Sequence, residues 1–567
     1  MRTFEEHLTR PMQSLNGFWD FTLLGEIDPD EVIISQIDFD DRIPVPQCFD
    51  AMPAYAGKRG LAAYRQEIFI NRTGRQRLAF DGVSHWCRVF INENMLGEHV
   101  GGFVPFGFDF EAAAPGWVQV VVLVDNRINY ERNPLHLEYF DWYHYGGIAR
   151  SVALHHLGQQ WVEDLRITTT TLTPPTINVE ITLQADQSVN ETCTVFVNEE
   201  EVMSREIDLD DSVRVQFELT LEEADLWSPE HPHLHHLRVV FGGDDLVERF
   251  GIRTIATQGK DILLNGAPLR LLGFNRHEIH PDFGHTFPDG LLMTDVQLLK
   301  EMGCNFVRGS HYPQDPRFLD LCDEFGLLVW SESIGWQHTA EHLNDPHFIE
   351  AQKTNIHEMI AAAYNHPCVF VWGIINESHS HEPECREGYI TLLDEIHSLD
   401  SHRPVTYASC HPFEDLNFDL VDIIAINRYP GWYGGELDDI PGELDHLSEH
   451  LATAGFADKP LIISEIGAGA IPGFHDRQHQ RWTEEYQRDL YDIVIRHLFE
   501  DRDRVCGLAL WLFADFRSSE FLPRPLQRPR GFNNKGCLDE YRRPKLSFDL
   551  VKQKFLPLII EKNLIGQ

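Results

Sequence analysis

The sequence predicts two β-sandwich domains followed by an α/β barrel. We expect an N-terminal jelly roll over residues 1–158, an immunoglobulin-like β-sandwich over residues 159–256 and a C-terminal (β/α)8 TIM barrel over residues 257–567. Two observations predict this multidomain β plus α/β fold class. A chain of 567 residues is too long for one hydrophobic core. Its first part has the alternating pattern of strands, whereas its last part alternates short apolar runs with helix-length amphipathic segments.

The N-terminal segment has the pattern of a jelly roll. Apolar and polar residues alternate in Tyr64–Ile70, Arg77–Phe80, Trp86–Ile91 and Val118–Val124. Gly, Asn, Asp and Pro, which favour turns, separate these runs. Short strands with turn signals between them are typical of a sandwich or jelly roll.

A second all-β segment follows, from about Val162 to Ile255. Every second residue is apolar in two of its runs, Ile177–Leu183 and Val213–Leu219. This alternation predicts strands that bury one face, and a segment of this length suits an immunoglobulin-like sandwich.

The residues after Asn265-Gly266, a hairpin turn signal, follow a different pattern. Short apolar runs occur at Leu269–Phe274, Asn305–Arg308, Leu327–Trp330, Val369–Ile375, Val405–Ala408, Ile423–Ile426, Leu461–Ser464 and Val505–Leu512. Helical patterns occur at Gly290–Met302, Pro316–Phe325, His347–Tyr364, Glu484–Phe499 and Leu546–Leu556. Eight strands alternating with helices predict a (β/α)8 barrel, in which the chemistry takes place at the C-terminal ends of the strands.

Composition narrows the classes of function. The net charge is −42, and no Lys/Arg-rich run interrupts it, which argues against nucleic acid and anionic membrane as partners. No apolar stretch is long enough to span a membrane, and the N-terminus lacks the apolar region of a signal peptide. The ten cysteines are scattered, without a C-x-x-C pair or a metal-like Cys/His spacing. We therefore expect a cytoplasmic protein with reduced thiols and no metal.

Two carboxylates stand at strand ends of the predicted barrel. Glu377 follows the fourth strand and Glu465 the seventh. Side chains at these nearly opposite ends can approach to roughly 5 Å, the separation at which a retaining glycosidase uses one carboxylate as nucleophile and the other as acid/base. The two roles require a raised pKa for the acid and an ordinary one for the nucleophile. The alternative is that both residues merely pair with cations at the barrel rim.

Several motifs resemble glycoside hydrolase family 2 from end to end of the chain. They are Phe80–Trp86 with Gly101–Phe106, Trp227–Pro229 with Arg249–Arg253, Asn275–Glu278, and Gly309–Pro313. The family's acid motif usually reads Asn-Glu-Pro, and here Ser378 replaces the proline. The resemblance implies Glu377 as acid/base, Glu465 as nucleophile, a covalent glycosyl-enzyme intermediate and no cofactor.

The segment after the eighth strand resembles the Asn-x-Lys motif with which β-glucuronidases of that family bind the C6 carboxylate of the sugar. Asn533 and Lys535 are the matching positions, and Arg530 is expected to add a second positive charge. An ammonium suits a carboxylate, and it would stay unpaired beside the C6 hydroxyl of a galactoside. The alternative for this segment is a solvated polar loop.

The resemblance implies further sugar contacts. After the sixth strand, Tyr429 is expected to hydrogen-bond the nucleophile and Tyr433 to help hold the carboxylate. Asp141, in a loop of the first domain, is expected to reach the barrel and bind sugar hydroxyls. Asn376 is expected to bind the 2-hydroxyl. The remaining predicted substrate-binding residues are the expected cavity walls, His277 and Trp511.

The leading hypothesis is therefore an exo-acting β-glucuronidase that hydrolyses small-molecule or oligosaccharide glucuronides. A β-galacturonidase, which shares the C6 carboxylate and differs at C4, is the second, and a β-galactosidase is the third. A non-catalytic carbohydrate-binding protein is the alternative from another class. Related enzymes are commonly dimers or tetramers, so a homo-oligomer is expected.

Overall fold

The computed structural model describes residues 2–500, 505–521 and 527–565. Two β-sandwiches precede a closed barrel of eight parallel strands. This arrangement confirms the predicted fold class.

The first domain packs a six-stranded sheet against a four-stranded one, with a small three-stranded sheet beside them. The strand Gly116–Asp125 pairs with Leu61–Ile70 and Trp86–Ile91. Its even-numbered valines lie in the main core of the domain, whereas Val121 and Leu123 lie in a second cluster on the opposite face. The other strands are Met12–Ser14, Gly17–Gly25, Asp41–Val45, Gln47–Cys48, Gly74–Phe80, Val83–Ser84, Asn94–Val100, Phe106–Ala112, Gly147–Ile148 and Val152–Gly158.

The second domain has a three-stranded and a four-stranded sheet. Its strands are Gln160–Leu172, Pro175–Ala185, Val189–Val197, Glu200–Leu209, Ser212–Thr220, His235–Phe241 and Asp244–Phe250. The alternation predicted for Ile177–Leu183 is confirmed, because the four apolar residues of this run are fully buried and the residues between them are partly exposed. A small sheet, Ile255–Gln258, Asp261–Leu264 and Ala267–Pro268, leads into the barrel.

The barrel strands follow the predicted apolar runs within a few residues. They are β1 (Leu271–Arg276), β2 (Phe306–Gly309), β3 (Leu328–Glu332), β4 (Val369–Ile374), β5 (Val405–Ser409), β6 (Ile424–Asn427), β7 (Leu461–Ile466) and β8 (Gly507–Leu510). The strands are almost wholly buried, since their interior side fills the barrel and their exterior side packs against helices. A short hairpin of Phe516–Arg517 and Phe532–Asn533 follows β8.

The helices around the barrel are α1 (Asp289–Glu301), α2 (Pro316–Phe325), α3 (Ala340–Leu343), α4 (Pro346–Ala363), α5 (Arg386–Leu399), α6 (Ile440–Leu451), α7 (Glu484–Ile495) and α8 (Leu546–Ile565). The segment between β5 and β6 contains a single 3₁₀ turn, Phe418–Leu420, in place of a helix. In the described parts of the chain, no helix combines the length and apolarity needed to cross a bilayer.

The first domain reaches the mouth of the barrel through the segment between its strands Gly116–Asp125 and Gly147–Ile148. Trp142 forms a β-bridge with Ser518, and the Tyr143 N–H donates to the carbonyl oxygen of Arg517 at 2.9 Å. These contacts fix Asp141, which directly precedes Trp142, beside the loops that follow the barrel strands.

Candidate active site

A cavity of about 760 Å³ opens at the C-terminal ends of the barrel strands. Eight of the predicted site residues line it: Asp141, Glu377, Tyr429, Tyr433, Glu465, Trp511, Asn533 and Lys535. The cavity therefore brings together side chains from the first domain and from both predicted carboxylate strands.

Glu465 lies near the end of β7 and is 3% exposed. Arg308 Nη1 donates to its Oε1 at 2.8 Å, and the Tyr429 hydroxyl donates to its Oε2 at 2.6 Å. Both carboxylate oxygens thus have a fixed partner, one of them a cation. Charge-assisted hydrogen bonds of this kind favour the ionised carboxylate.

Glu377 lies just beyond β4, and its φ of +48° is in the left-handed region that non-glycine residues rarely adopt. Asn427 Nδ2 donates to Oε1 at 2.9 Å and Gln337 Nε2 donates to Oε2 at 3.3 Å. Unusual backbone conformations held by surrounding contacts are concentrated at functional sites. Here the conformation occurs three residues after the end of β4, where the Glu377 side chain lines the cavity.

The two carboxyls differ in their partners. Burial raises the pKa of both Glu377 and Glu465, and repulsion from Glu377 raises that of Glu465 further. Hydrogen bonds from Arg308 and Tyr429 oppose the rise at Glu465, whereas the hydrogen bonds to Glu377 come from neutral amides. Interacting carboxyls titrate as a pair. The proton that the pair retains belongs on Glu377, because the guanidinium of Arg308 stabilises the charge of Glu465.

A buried polar network connects the strand ends. Arg308, at the end of β2, donates to both oxygens of Glu332 at 3.0 and 2.9 Å and to Asn376 Oδ1 at 2.8 Å. Asn427 Nδ2 donates to the same Asn376 oxygen at 3.0 Å. Asn376 is fully buried and does not line the cavity, but its Nδ2 has no hydrogen-bond partner among the described residues. Its amide is therefore oriented through its oxygen and retains a free donor.

Lys535 is 2% exposed, and its Nζ donates to the Tyr433 hydroxyl at 3.0 Å. The faces of Tyr429, Trp432 and Tyr433 lie 5.1 to 5.9 Å from the ammonium. Within residues 2–500, 505–521 and 527–565, no carboxylate oxygen lies within 4.0 Å of Nζ. Buried ammonium groups normally have an anionic partner. The cavity wall at Lys535 is therefore suited to an anionic ligand.

Asp141 reaches the same wall from the first domain. Its Oδ1 accepts from Arg528 Nε at 3.0 Å and Nη2 at 2.6 Å, and its Oδ2 accepts from Asn533 Nδ2 at 2.7 Å. These three hydrogen bonds join the first domain to the loop after β8. They also fix the Asp141 carboxylate, which lines the cavity with Asn533 and Lys535.

The structure does not bring three of the predicted site residues, Arg530, His277 and Asn376, into the cavity lining. Arg530 Nη1 and Nη2 donate to the Glu540 carboxylate at 2.9 and 3.1 Å, so its guanidinium points away from the cavity, and Arg528 contributes the cation expected there. His277 packs behind the wall, with its ring centroid 5.6 Å from that of Trp511. It supports Trp511 and does not itself form the surface.

Sequence reasoning missed Arg308, Asn427, Gln337 and Arg528. Arg308 ends one of the predicted apolar runs and Asn427 directly follows another, so the strand-end rule that found the carboxylates could have found them too. Gln337 and Arg528 lie in irregular loops, where no periodicity predicts the direction of a side chain.

Comparison with known proteins identifies the family. The model for the TIM barrel domain of glycosyl hydrolases family 2 matches residues 255–560, that for its sugar binding domain matches residues 42–158, and a third family 2 model matches residues 161–253. The chain belongs to glycosyl hydrolases family 2, which confirms the resemblance, and it is a glycoside hydrolase.

Individual relatives cover nearly the whole chain. A β-glucuronidase from Streptococcus agalactiae is 28% identical over 97% of each chain. A GH2 β-galacturonidase from Eisenbergiella tayi, solved with bound galacturonate, is 35% identical with a TM-score of 0.91 over 98% of each chain. A β-glucuronidase from an uncultured Clostridium sp. is 28% identical with a TM-score of 0.87, over 98% of this chain and 99% of that one.

Proposed function

We propose that this family 2 hydrolase removes a terminal hexuronic acid from β-linked conjugates, with β-D-glucuronides as the leading substrate and with retention at the anomeric carbon. The observation that carries the proposal is Lys535, a buried ammonium in the cavity wall with no described carboxylate oxygen within 4.0 Å of its Nζ. The C6 carboxylate of a uronic acid supplies the missing anion.

Lys535 also discriminates between sugars. A uronide carboxylate accepts a charge-assisted hydrogen bond from the ammonium, which is stronger than one between neutral groups. The C6 hydroxyl of a galactoside would leave the buried charge without a counter-ion, and sites built around a polar partner reject analogues that lack it. Asn533 and Tyr433, beside Lys535, offer further polar contacts to the same carboxylate.

The two carboxylates divide the reaction between them. Glu465, ionised and oriented by Arg308 and Tyr429, attacks C1 while Glu377 transfers its proton to the departing glycosidic oxygen. A glycosyl ester on Glu465 results. Glu377, now a carboxylate, removes a proton from water, which attacks C1 and releases the sugar with its original configuration. Asn376 lies behind the cavity lining with no described partner for its N–H₂, and it is the proposed donor to the 2-hydroxyl once its amide turns toward the sugar. Such a hydrogen bond contributes to catalysis when it strengthens in the transition state.

The second candidate substrate is a β-galacturonide. The Eisenbergiella tayi relative is 35% identical and is a β-galacturonidase, whereas the β-glucuronidases from Streptococcus agalactiae and Clostridium sp. are 28% identical. The two sugars share the C6 carboxylate that Lys535 would bind, and they differ in the direction of the 4-hydroxyl alone. Lys535 therefore supports both uronides over a neutral galactoside.

The decisive assay measures kcat/KM on three aryl glycosides: β-glucuronide, β-galacturonide and β-galactoside. We expect both uronides to exceed the galactoside by at least about two orders of magnitude, with the glucuronide highest. A galacturonide preference would reverse the order of the two uronides, and a preferred galactoside would refute the uronidase proposal. Retention is tested separately by a 2-fluoro uronosyl fluoride, which should label Glu465 in a peptide map; labelling elsewhere would contradict the mechanism.

A further inference from the structure

Three histidines far apart in the sequence meet inside the first domain. His85 follows the strand Val83–Ser84, and His136 and His144 belong to the segment that leads to Gly147–Ile148. Each is 1% exposed, and one nitrogen from each ring lies within 4.8 Å of those from the other two. The linear spacing is unlike that of a metal motif, which is why the sequence led us to expect no metal.

The rings of this histidine cluster lack partners. Five of their six nitrogens, all except Nδ1 of His136, make no hydrogen bond to any described residue. Buried polar atoms are nearly always paired, because an unpaired one costs free energy. Burial lowers the pKa of all three imidazoles, that of His136 to about 3. Neutral imidazole is the form in which histidine binds a metal.

We propose that His85, His136 and His144 bind one zinc ion as a structural site. Zinc accepts three imidazoles with Zn–N distances of about 2.0–2.1 Å, which places tetrahedral ligand atoms about 3.4 Å apart. Side-chain nitrogens already within 4.8 Å of one another reach that spacing by small ring rotations. The fourth position suits a water molecule. Imidazole ligands in a closed site also suit zinc better than the hard cations magnesium and calcium.

A neighbouring amide is placed to orient one ligand. Asn133 contacts His136 Nδ1 at 2.8 Å through its Nδ2, and its own Oδ1 has no partner among the described residues. Turning this carboxamide by 180° lets the oxygen accept an Nδ1–H and leaves the lone pair of Nε2 for the metal, in exchange for the 3.3 Å hydrogen bond that Nδ2 donates to the His85 carbonyl oxygen. Metal-binding histidines commonly donate their second N–H to an oxygen in this way.

The surrounding charges do not exclude a dication. Arg59 lies nearby and donates to the carbonyl oxygen of His144. Its guanidinium is also 3.6 Å from Asp50 and 2.5 Å from Glu520, and Arg517 acts on Asp50 as a second cation. The two carboxylates therefore partly neutralise the two guanidinium groups beside the cluster.

The zinc site would hold Asp141 in position without lining the active-site cavity itself. Asp141 lies between His136 and His144 in the sequence, and Phe140 stacks on the His144 ring with centroids 4.8 Å apart. Zinc would tie the segment that presents Asp141 to the strand region that carries His85. The metal site itself does not depend on which sugar the enzyme hydrolyses.

Metal analysis of the full-length protein tests the site. After treatment with a chelator, reloading with ZnCl₂ and desalting, we expect about one zinc per chain by mass spectrometry. His144→Asn should lose this zinc, whereas His144→Cys should retain it, because a thiolate is also a zinc ligand. Two other groups are competing candidates: the half-buried His379, His381 and Glu382, and the buried Asp323, His366 and Cys368. The controls H379A/H381A and C368S should therefore keep the zinc, and its loss in either would overturn the proposal.

A wild-type crystal gives a test that does not depend on how a variant folds. Anomalous diffraction at the zinc edge should show a peak about 2.0–2.2 Å from all three rings. The proposal would be overturned if, after zinc loading, a water molecule occupied the centre of the three rings or the zinc peak appeared only at another place. In parallel, chelation should raise KM for the aryl uronide several-fold with kcat within about twofold, and zinc should reverse the change. An unchanged KM would refute the connection to Asp141.

Discussion

Two regions of the cavity are built in different ways. The carboxylate region, around Glu377 and Glu465, takes most of its partners from the ends of barrel strands. Arg308 is the penultimate residue of β2, Asn427 ends β6 and Tyr429 follows it, whereas Gln337 comes from an irregular loop. The region around Lys535 is assembled from loops, with Asp141 arriving from another domain. From this comparison we infer that the barrel can hold the reaction constant while the loops alter which sugar is accepted. It predicts that changes in the first region affect every substrate, and that changes in the second affect one class.

The largest effect is expected for Glu465→Gln, which removes the proposed nucleophile. On uronides and on any residual galactoside substrate, kcat/KM should fall on the order of 10⁴-fold, because the covalent route is lost for every sugar. Steady-state kinetics with both substrate classes measures it. The control Glu443→Gln alters a rim carboxylate that pairs with Arg428. A comparable loss in that control would mean that the effect is not specific to the nucleophile.

Glu377→Ala should separate substrates by their leaving group. A nitrophenolate departs without a proton, so its glycoside should lose little rate in the first step, whereas an alkyl or sugar leaving group should lose roughly 10²- to 10⁴-fold. Single-turnover measurements of the two leaving groups on the same sugar give the ratio. Equal losses for both would contradict a role as general acid.

Lys535→Ala should sharpen the contrast between the regions. Loss of a charged hydrogen bond costs about 2 to 3 kcal/mol, so kcat/KM on uronides should fall roughly 30- to 150-fold, with little change on a galactoside. Lys552→Ala, at an exposed lysine that pairs with Glu301, is the matched control. Equal losses on uronide and galactoside would mean that Lys535 stabilises the structure and does not select the sugar.

The smallest expected effect concerns pH. Activity should fall at low pH as Glu465 gains a proton, and at high pH as Glu377 loses one. The hydrogen bond from Gln337 stabilises ionised Glu377 and lowers its pKa. Gln337→Ala should therefore raise that pKa and move the alkaline limb of kcat/KM upward by less than about one unit. A downward shift would show that Gln337 does not act on Glu377 in this way.

Much of the site could be predicted because strands constrain it. An apolar run that ends in Glu465 or precedes Glu377 must place these residues at the mouth, since all eight parallel strands point there. The same rule applies to Arg308 and Asn427, although we did not use it for them. Arg530 shows the limit of prediction in loops. Its place in the sequence beside Asn533 and Lys535 predicts a cation in the cavity, but Arg530 pairs with Glu540, and Arg528 turns toward the cavity instead.

The sequence by itself determined the fold class, the two strand-end carboxylates and, through family motifs, the lysine that suits an anion. Those features depend on periodicity and on local motifs, which a linear chain displays. The tertiary structure decided which loop cation meets Asp141, how Arg308 joins Glu332, Asn376 and Glu465, and that His85, His136 and His144 lie together. Such contacts depend on packing between segments far apart in the chain, so no local sequence pattern predicts them.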